Sequence, residues 1–192
     1  MNQLPKVLIT GASTGIGATY AKRFAQRGHG LVLVARDKSR LDALAKQLRE
    51  ETGVPVDVHQ ADLTDAGDLT AIETLLREDK SIGVLVNNAG VAQSGGFVQQ
   101  NAEAIEKLIS LNVVALTRLA AAVAPRFAQA GQGSIINLGS VVGFAPEFGM
   151  SVYGATKAFV LFLSQGLNLE LSSKGVYVQA VLPAATRTEI WE

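Results

Sequence analysis

Short apolar runs alternate along the chain with longer stretches whose apolar residues recur every three or four positions. The runs lie at 7–10, 31–34, 54–58, 84–86, 135–137 and 176–182. They are short and rich in β-branched residues, which favours strands. Most are apolar without alternation, the pattern of a parallel sheet covered by helices on both faces. Helical spacing fills the intervals. It appears at 16–26, at Leu41, Leu44 and Leu48, and at Leu69, Ile72, Leu75 and Leu76. Two longer stretches follow, 104–128 and 153–171, the second closed by Gly175 after Ser172-Ser173-Lys174. Pro125 is expected to bend or end the first of them. Six strand-then-helix alternations predict an α/β fold, a doubly wound parallel sheet with helices on both faces.

Length and composition narrow the function classes. At 192 residues the chain suits one domain, 1–192. It carries no cysteine, which excludes a disulfide framework, a thiolate nucleophile and a thiolate-bound metal. The two histidines, His29 and His59, are far apart in sequence, so no metal site is expected. Lys and Arg total 17, as do Asp and Glu, and this balance opposes nucleic-acid binding. No uninterrupted apolar run approaches membrane-spanning length, and the N-terminus does not read as a signal peptide. A cytoplasmic protein without a membrane partner is the default expectation. The two long helical stretches, taken as 101–129 and 151–173, hold more small and apolar residues than one sheet face requires. Core packing explains them; so does a homodimer or homotetramer interface.

The first chemical signal is Thr10-Gly11-Ala12-Ser13-Thr14-Gly15-Ile16-Gly17, which follows a strand and opens a helix. A pyrophosphate needs backbone N–H groups at a helix N-terminus with no side chain in the way. Gly11, Gly15 and Gly17 permit that approach, and Ser13 and Thr14 add hydroxyls. The dinucleotide-binding pattern places its ribose discriminator about twenty residues further on, at the end of the second strand. Arg36 stands there. A guanidinium matches a 2′-phosphate, so NADP(H) is favoured, with NAD(H) possible. Asp37, next in the chain, is either a ribose ligand or the cap of the helix beginning at Lys38. Arg40 is a second candidate phosphate contact, or one more residue of a solvated helix face.

Together these residues resemble the short-chain dehydrogenase/reductase family, whose members have the Rossmann fold. The resemblance rests on the TGxxxGIG turn at Thr10–Gly17, on Asp62, on Asn87-Asn88-Ala89-Gly90, and on Asn112 and Ser140. It rests also on Tyr153-Gly154-Ala155-Thr156-Lys157 and Pro183, all in the family's order. It covers essentially the whole chain. The glycine spacing is similar to that of the simple oxidoreductase branch rather than the epimerase-like one. The implied activity is hydride transfer between NADP(H) and a carbonyl or alcohol substrate.

Tyr153 and Lys157 are four apart, so a helix presents them on one face. A cation about 4 Å from a phenol is worth roughly 4 kcal/mol at an effective dielectric near 20. That would lower the tyrosine pKa by about three. Tyr153 is then the expected general acid and base. Ser140, closing a strand, is expected to hydrogen-bond the substrate oxygen beside it. The resemblance further implies that Lys157 holds the nicotinamide ribose. It implies that Asn112 locally interrupts its helix and holds a water that connects Lys157 to solvent.

Other roles follow from the resemblance alone. Asn88, Ala89 and Gly90 would pass the adenosine ribose, or simply end a strand. Asp62, with Leu63 beside it, would bind the adenine, or cap a helix for which Thr64 and Asp65 also qualify. Pro183 and Thr188 would contact the nicotinamide end, with Thr186 as the alternative threonine. Ala184 departs from the usual Pro-Gly. Ala cannot take positive φ as cheaply as Gly, so the backbone under the nicotinamide is expected to differ slightly. Substrate contacts are expected from Val91, Ala92 and Gln93 and from 141–150, which is largely apolar; an apolar carbonyl or alcohol is implied. The sequence stops at Glu192, soon after the sixth strand, where the family usually continues into a substrate lid and a seventh strand. Both are expected to be missing here, either because the protein is short or because the sequence is part of a longer chain; an end within the expected lid favours the second. A catalytically silent cofactor sensor or scaffold on the same fold is the alternative.

Overall fold

The computed structural model describes residues 4–93 and 96–184. Six strands form one parallel sheet: β1 (Lys6–Thr10), β2 (Leu31–Ala35), β3 (Val56–Gln60), β4 (Ile82–Asn87), β5 (Gly133–Leu138) and β6 (Val176–Val181). Their order is β3-β2-β1-β4-β5-β6. Helices α1 (Gly15–Gln26), α2 (Lys38–Thr52), α3 (Ala66–Glu78), α4 (Ala102–Ile109), α5 (Leu116–Ala130) and α6 (Ser151–Leu171) connect them.

Two apolar layers hold the helices on. On one face Ala21 and Ala25 of α1 and Leu41, Leu44 and Leu48 of α2 pack on Val7, Ile9, Leu31 and Leu33. On the other, Leu69, Ile72 and Leu76 of α3 and Leu119, Val123 and Phe127 of α5 pack on Leu8, Val32 and Ile135. In β1, β2 and β4 successive residues therefore point to opposite faces and nearly all are buried, which is why these runs lack alternation; β6 alternates buried and exposed positions. Glu73 adds a polar tie: it is buried, pairs with Arg118 of α5 and with Arg77, and these guanidiniums hold its carboxyl below its usual range.

The predicted elements are recovered with two informative differences. The third strand begins at Val56, not at residue 54, because Pro55 has no N–H for the ladder and only its carbonyl takes part, accepting from Leu31. Pro125 does not end its helix: α5 runs on to Ala130 and stops at Gly131, which has φ of 68°. Pro125 removes a donor from the Ala121 carbonyl, but Ala121 is exposed, so water can take that place. The helix joining β4 to β5 contains a π-helical turn, Ser110–Ala115, between α4 and α5, at the position where Asn112 was expected to interrupt the helix.

The continuous helical stretch Ala102–Ala130 is 29 residues long with a mean hydropathy of 1.7 in its most apolar part. Counting uninterrupted apolar runs missed it; by length and composition alone it could cross a membrane. Half of that part is buried within the fold, where α5 packs on α3 and on β4 and β5, and this packing accounts for its apolarity.

Candidate active site

Parallel strands deliver all their C-terminal ends to one edge, and a crevice opens there where the strand order reverses. Here β1 and β4 flank that point, and a cleft of about 830 Å³ runs along the edge. Gly11, Ser13, Thr14, Gly15, Ile16, Arg36, Asp62, Leu63, Asn88, Ala89, Gly90, Ser140, Tyr153, Lys157 and Pro183 all line it. Residues from seven separate segments are thus brought to one place. Gly17 and Asn112 are not on the wall but behind it. Thr186 and Thr188 lie outside the described residues.

The glycine turn is shaped for close approach. Gly11 and Gly15 have φ of 63° and 54°, which disfavours any side chain. Gly17 does not face the cleft: a Cβ there would stand 2.6 Å from Asn88 Nδ2, so its role is to let α1 dock under the turn. Thr14 precedes α1 without a side-chain cap, whereas Asp37, Asp65 and Asn101 cap α2, α3 and α4. The first N–H groups of α1 therefore open at the cleft without a capping side chain.

Contacts show which of the candidate aspartates cap helices. Asp37 accepts from Arg40 N at 3.0 Å and pairs with Arg40 Nε at 3.4 Å. It is the cap of α2, and Arg36 is left exposed at the cleft's end. Asp65, not Asp62, caps α3, accepting from Gly67 and Asp68. Asp62 closes its own turn by accepting from the Thr64 N–H and hydroxyl. Burial pushes its pKa up, but the Thr64 hydrogen bonds, with Arg36 and Lys107 nearby, outweigh that and keep it below the usual value.

At the other end of the cleft stand Ser140, Tyr153 and Lys157, all buried. Ser140 follows β5 and accepts from Val142 N at 3.2 Å. The segment Val141–Phe144 lies flat on α6, because a Cβ on Gly143 would come within 2.8 Å of Ala158 N. Lys157 Nζ donates to the Leu138 carbonyl at 2.8 Å and sits 5.6 Å from the Tyr153 ring centre. Burial lowers the Lys157 pKa to about 8. Burial raises that of Tyr153, and a hydrogen bond with Ser140 only partly offsets it. This differs from the expectation that Lys157 would lower the phenol: desolvation of both groups is the larger effect in the protein by itself.

Asn112 occupies the π turn, so the local departure from α-helix is present, but the helix is not broken. Its amide is engaged with protein. It accepts from Val91 N at 3.0 Å and donates to Val91 O at 2.9 Å and to Thr156 Oγ1 at 3.3 Å. Thr10 had a place in the glycine turn from its sequence but no role; its hydroxyl accepts from Asn88 N at 3.0 Å and Ala89 N at 2.9 Å. Its place before the glycine turn was visible; its partners, far along the chain, were not. Leu111, also on the cleft wall, had no signal beyond its position beside Asn112.

Comparison with known proteins agrees with this architecture. A family profile described as short chain dehydrogenase matches residues 5–192. The very-long-chain 3-oxoacyl-CoA reductase of Anas platyrhynchos is 35% identical over 187 residues, 95% of this chain and 60% of that protein. The chain thus spans about three fifths of that curated relative. Among solved structures, a short-chain dehydrogenase from Sphingobium yanoikuyae in complex with NADPH superposes with a TM-score of 0.97 at 78% identity, covering 98% of this chain and 73% of that one. The bulky-bulky ketone specific alcohol dehydrogenase from Comamonas testosteroni gives 0.96 at 72% identity, with 97% and 74% covered.

The buried lysine has a measurable consequence. With a folded pKa of about 8 against an ordinary 10.5, both folded and unfolded chains hold the proton below pH 8. Burying that charge then costs about 3 kcal/mol. Between the two values only the unfolded chain keeps the proton, so stability rises with pH. Lys157→Met removes this dependence. Denaturant unfolding at pH 7 and pH 10 should show the parent gaining about 2–3 kcal/mol on the variant. Parallel behaviour of the two would show that the Lys157 charge is solvated.

Proposed function

The chain belongs to the short chain dehydrogenase family, and from there we propose that it moves a hydride between NADP(H) and a carbonyl or alcohol carbon, with Tyr153 carrying the proton. The observation that carries the reading is the grouping of Ser140, Tyr153 and Lys157 at one end of a cleft whose other end is marked by Arg36. The residues fit a dinucleotide. The uncapped N-terminus of α1 and the positive-φ glycines make a cradle for the pyrophosphate, closed to any side chain. Arg36 would take the 2′-phosphate, Asp62 and Leu63 the adenine, Asn88, Ala89 and Gly90 the adjoining ribose, and Lys157 the nicotinamide ribose. Pro183 would flank the ring. The NADPH-bound relative supports that choice of cofactor. When bound, the nicotinamide supplies or accepts the hydride.

The chain's own residues manage the proton. Burial keeps the Tyr153 phenol protonated near neutral pH, the form a donor to a carbonyl oxygen needs. Ser140 adds a second hydrogen bond to the same oxygen as negative charge develops on it. Lys157, still mainly protonated at pH 7, stabilises the phenolate that remains. In the oxidative direction the same groups act in reverse, with Tyr153 taking the alcohol proton.

An apolar ketone with large groups on both sides is the substrate class we favour. Phe144 and Phe148, in the segment between Ser140 and Tyr153, are 62% and 63% exposed, and Phe97 after β4 is 61% exposed. None of the three lines the cleft, but the segments that carry them continue from cleft residues, Ser140 and Tyr153 for the first two and Val91 and Ala92 for the third, and offer apolar surface next in the chain to a polar centre. The ketone named for the Comamonas relative is of the same kind. We also propose a homodimer or homotetramer built on 102–130 and 151–171. Phe162 and Leu169 of α6 are each 81% exposed, which suits an apolar subunit contact.

Tyr153→Phe should abolish NADPH-linked ketone reduction while NADPH fluorescence titration stays close to that of the parent. Sustained turnover would remove Tyr153 from the proton step. Arg36→Asp should weaken NADPH by roughly tenfold or more, with little effect on NADH, since it replaces a guanidinium–phosphate pair with a like-charge contact. An unchanged cofactor preference would mean that the 2′-phosphate is read elsewhere. Phe162→Asp should shift the sedimentation coefficient toward the monomer. A parent that sediments as a monomer would dismiss the interface.

A further inference from the structure

Thr156 sits between the two residues proposed to do the chemistry and has its own set of contacts. It is buried, with 3% of its surface exposed. Its hydroxyl donates to the Tyr153 carbonyl at 2.7 Å. Its oxygen accepts from Asn112 Nδ2 at 3.3 Å. Asn112 holds Val91 by both main-chain groups, at 3.0 and 2.9 Å, and Val91 lines the cleft. A hydrogen-bonded path therefore runs from the cleft wall through Asn112 and Thr156 to the backbone of Tyr153. Its polarity is fixed. An amide nitrogen only donates, so the Thr156 proton is directed to the Tyr153 carbonyl.

Of the helical threonines among the described residues, Thr156 alone is buried. Thr19, Thr52, Thr70 and Thr74 donate to the carbonyl four residues back, which like the bond three residues back is an ordinary local bond of an in-helix threonine; none of the four is buried. Thr156 donates three residues back, to Tyr153, while holding Asn112 on its other side. This matters because α6 starts without a cap: Met150 precedes it and makes no side-chain bond to its first turn. That turn carries Tyr153, and the phenol must meet Ser140, which comes from β5.

We propose that Thr156 is a positioning residue for Tyr153, tying the uncapped first turn of α6 through Asn112 to the cleft wall. The proposal rests on the oxidoreductase reading above for its effect on rate, and on geometry alone for its effect on the phenol. It assigns no direct contact between Thr156 and substrate or cofactor. Removing the hydroxyl leaves the Asn112 amide one acceptor short and the first turn of α6 without this tie. The phenol then samples positions away from Ser140.

The test compares Thr156→Val, which keeps the shape and loses the hydroxyl, with Thr156→Ser, which keeps the hydroxyl. Thr156→Ala provides a second hydroxyl-free variant should the valine not fold. The chain has three tyrosines, so the ring-carbon resonance of Tyr153 can be followed in protein labelled with 13C-tyrosine and assigned with Tyr153→Phe. Thr156→Val should move that resonance and its titration midpoint, whereas Thr156→Ser should leave both near the parent's. With NADPH and a bulky ketone, Thr156→Val should lower kcat by about tenfold or more, in keeping with the sensitivity of rate to small misplacement. KM and NADPH affinity should stay within about twofold, because ground-state binding is not what is lost. Thr156→Ser should recover most of the rate. An unmoved resonance and unchanged kcat in Thr156→Val would overturn the proposal, as would equal damage in the serine variant. If the parent shows no turnover while the resonance still moves in Thr156→Val alone, the positioning role stands and the oxidoreductase reading fails.

Discussion

The cleft depends on one hydrogen-bonded clamp at the point where the strand order reverses. The chain leaves β1 toward α1 on one face of the sheet and β4 toward α4 and α5 on the other. The Thr10 hydroxyl accepts from Asn88 N and Ala89 N, and Asn88 Nδ2 donates back to the carbonyls of Thr10 and Gly11. The clamp gives the partly buried Ala89 N–H its acceptor, while Asn88 N is shared with the Val86 carbonyl at 3.1 Å. Room for the clamp comes from glycine: a Cβ on Gly11 or Gly17 would press on Asn88 Nδ2 at 2.8 or 2.6 Å. The glycines of this turn thus serve a structural need of the sheet edge as well as the approach of a phosphate. The two requirements coincide because both ask for backbone bare of side chains at the same point.

From this clamp the rest of the site is reached by short steps. Gly90 continues from Asn88 and Ala89, and a Cβ there would lie 3.1 Å from Asn112 Oδ1 and 3.6 Å from Lys157 Nζ. Asn112 then holds Val91, and Lys157 reaches across to the Leu138 carbonyl at the end of β5. The ends of β1, β4 and β5 and the start of α6 are therefore connected by polar contacts under the cleft floor. Such a network holds geometry tightly when its members are satisfied. It also places a lysine where water is scarce. Burial of that cation destabilises the folded chain near neutral pH, the kind of cost that functional sites carry and the surrounding core offsets.

Much of the fold was legible along the chain because its signals act over a few residues. Runs of Val, Leu and Ile without alternation reported a sheet covered on both faces, and Gly175 marked the end of the last helical stretch. The errors are local too. Pro55 moved the start of β3, and Pro125 does not end α5, where the residue whose carbonyl it deprives of a donor, Ala121, is exposed. Most of the candidate site was also legible, since a glycine turn after a strand and a Tyr-x-x-x-Lys on a helix are patterns of type and spacing. Gly17, assigned to the phosphate, turned out to serve the packing of α1.

By itself, then, the sequence determined which elements form, in what order, and which chemical groups are available at strand ends. Periodicity, proline and glycine constrain the backbone wherever they occur. The tertiary structure alone decided which donor meets which acceptor. Asp37 and Asp65 were both candidate caps, and both are; Asp62 was a third, and it closes a turn instead. Asn88 finds Thr10 across 78 positions, and Asn112 finds Thr156 across 44. The charge states at the site were decided in the same way, since Lys157 and Tyr153 titrate according to how much water the folded chain removes from them. Spacing along a chain carries no information about desolvation or about contacts between distant segments; only the packed fold supplies both.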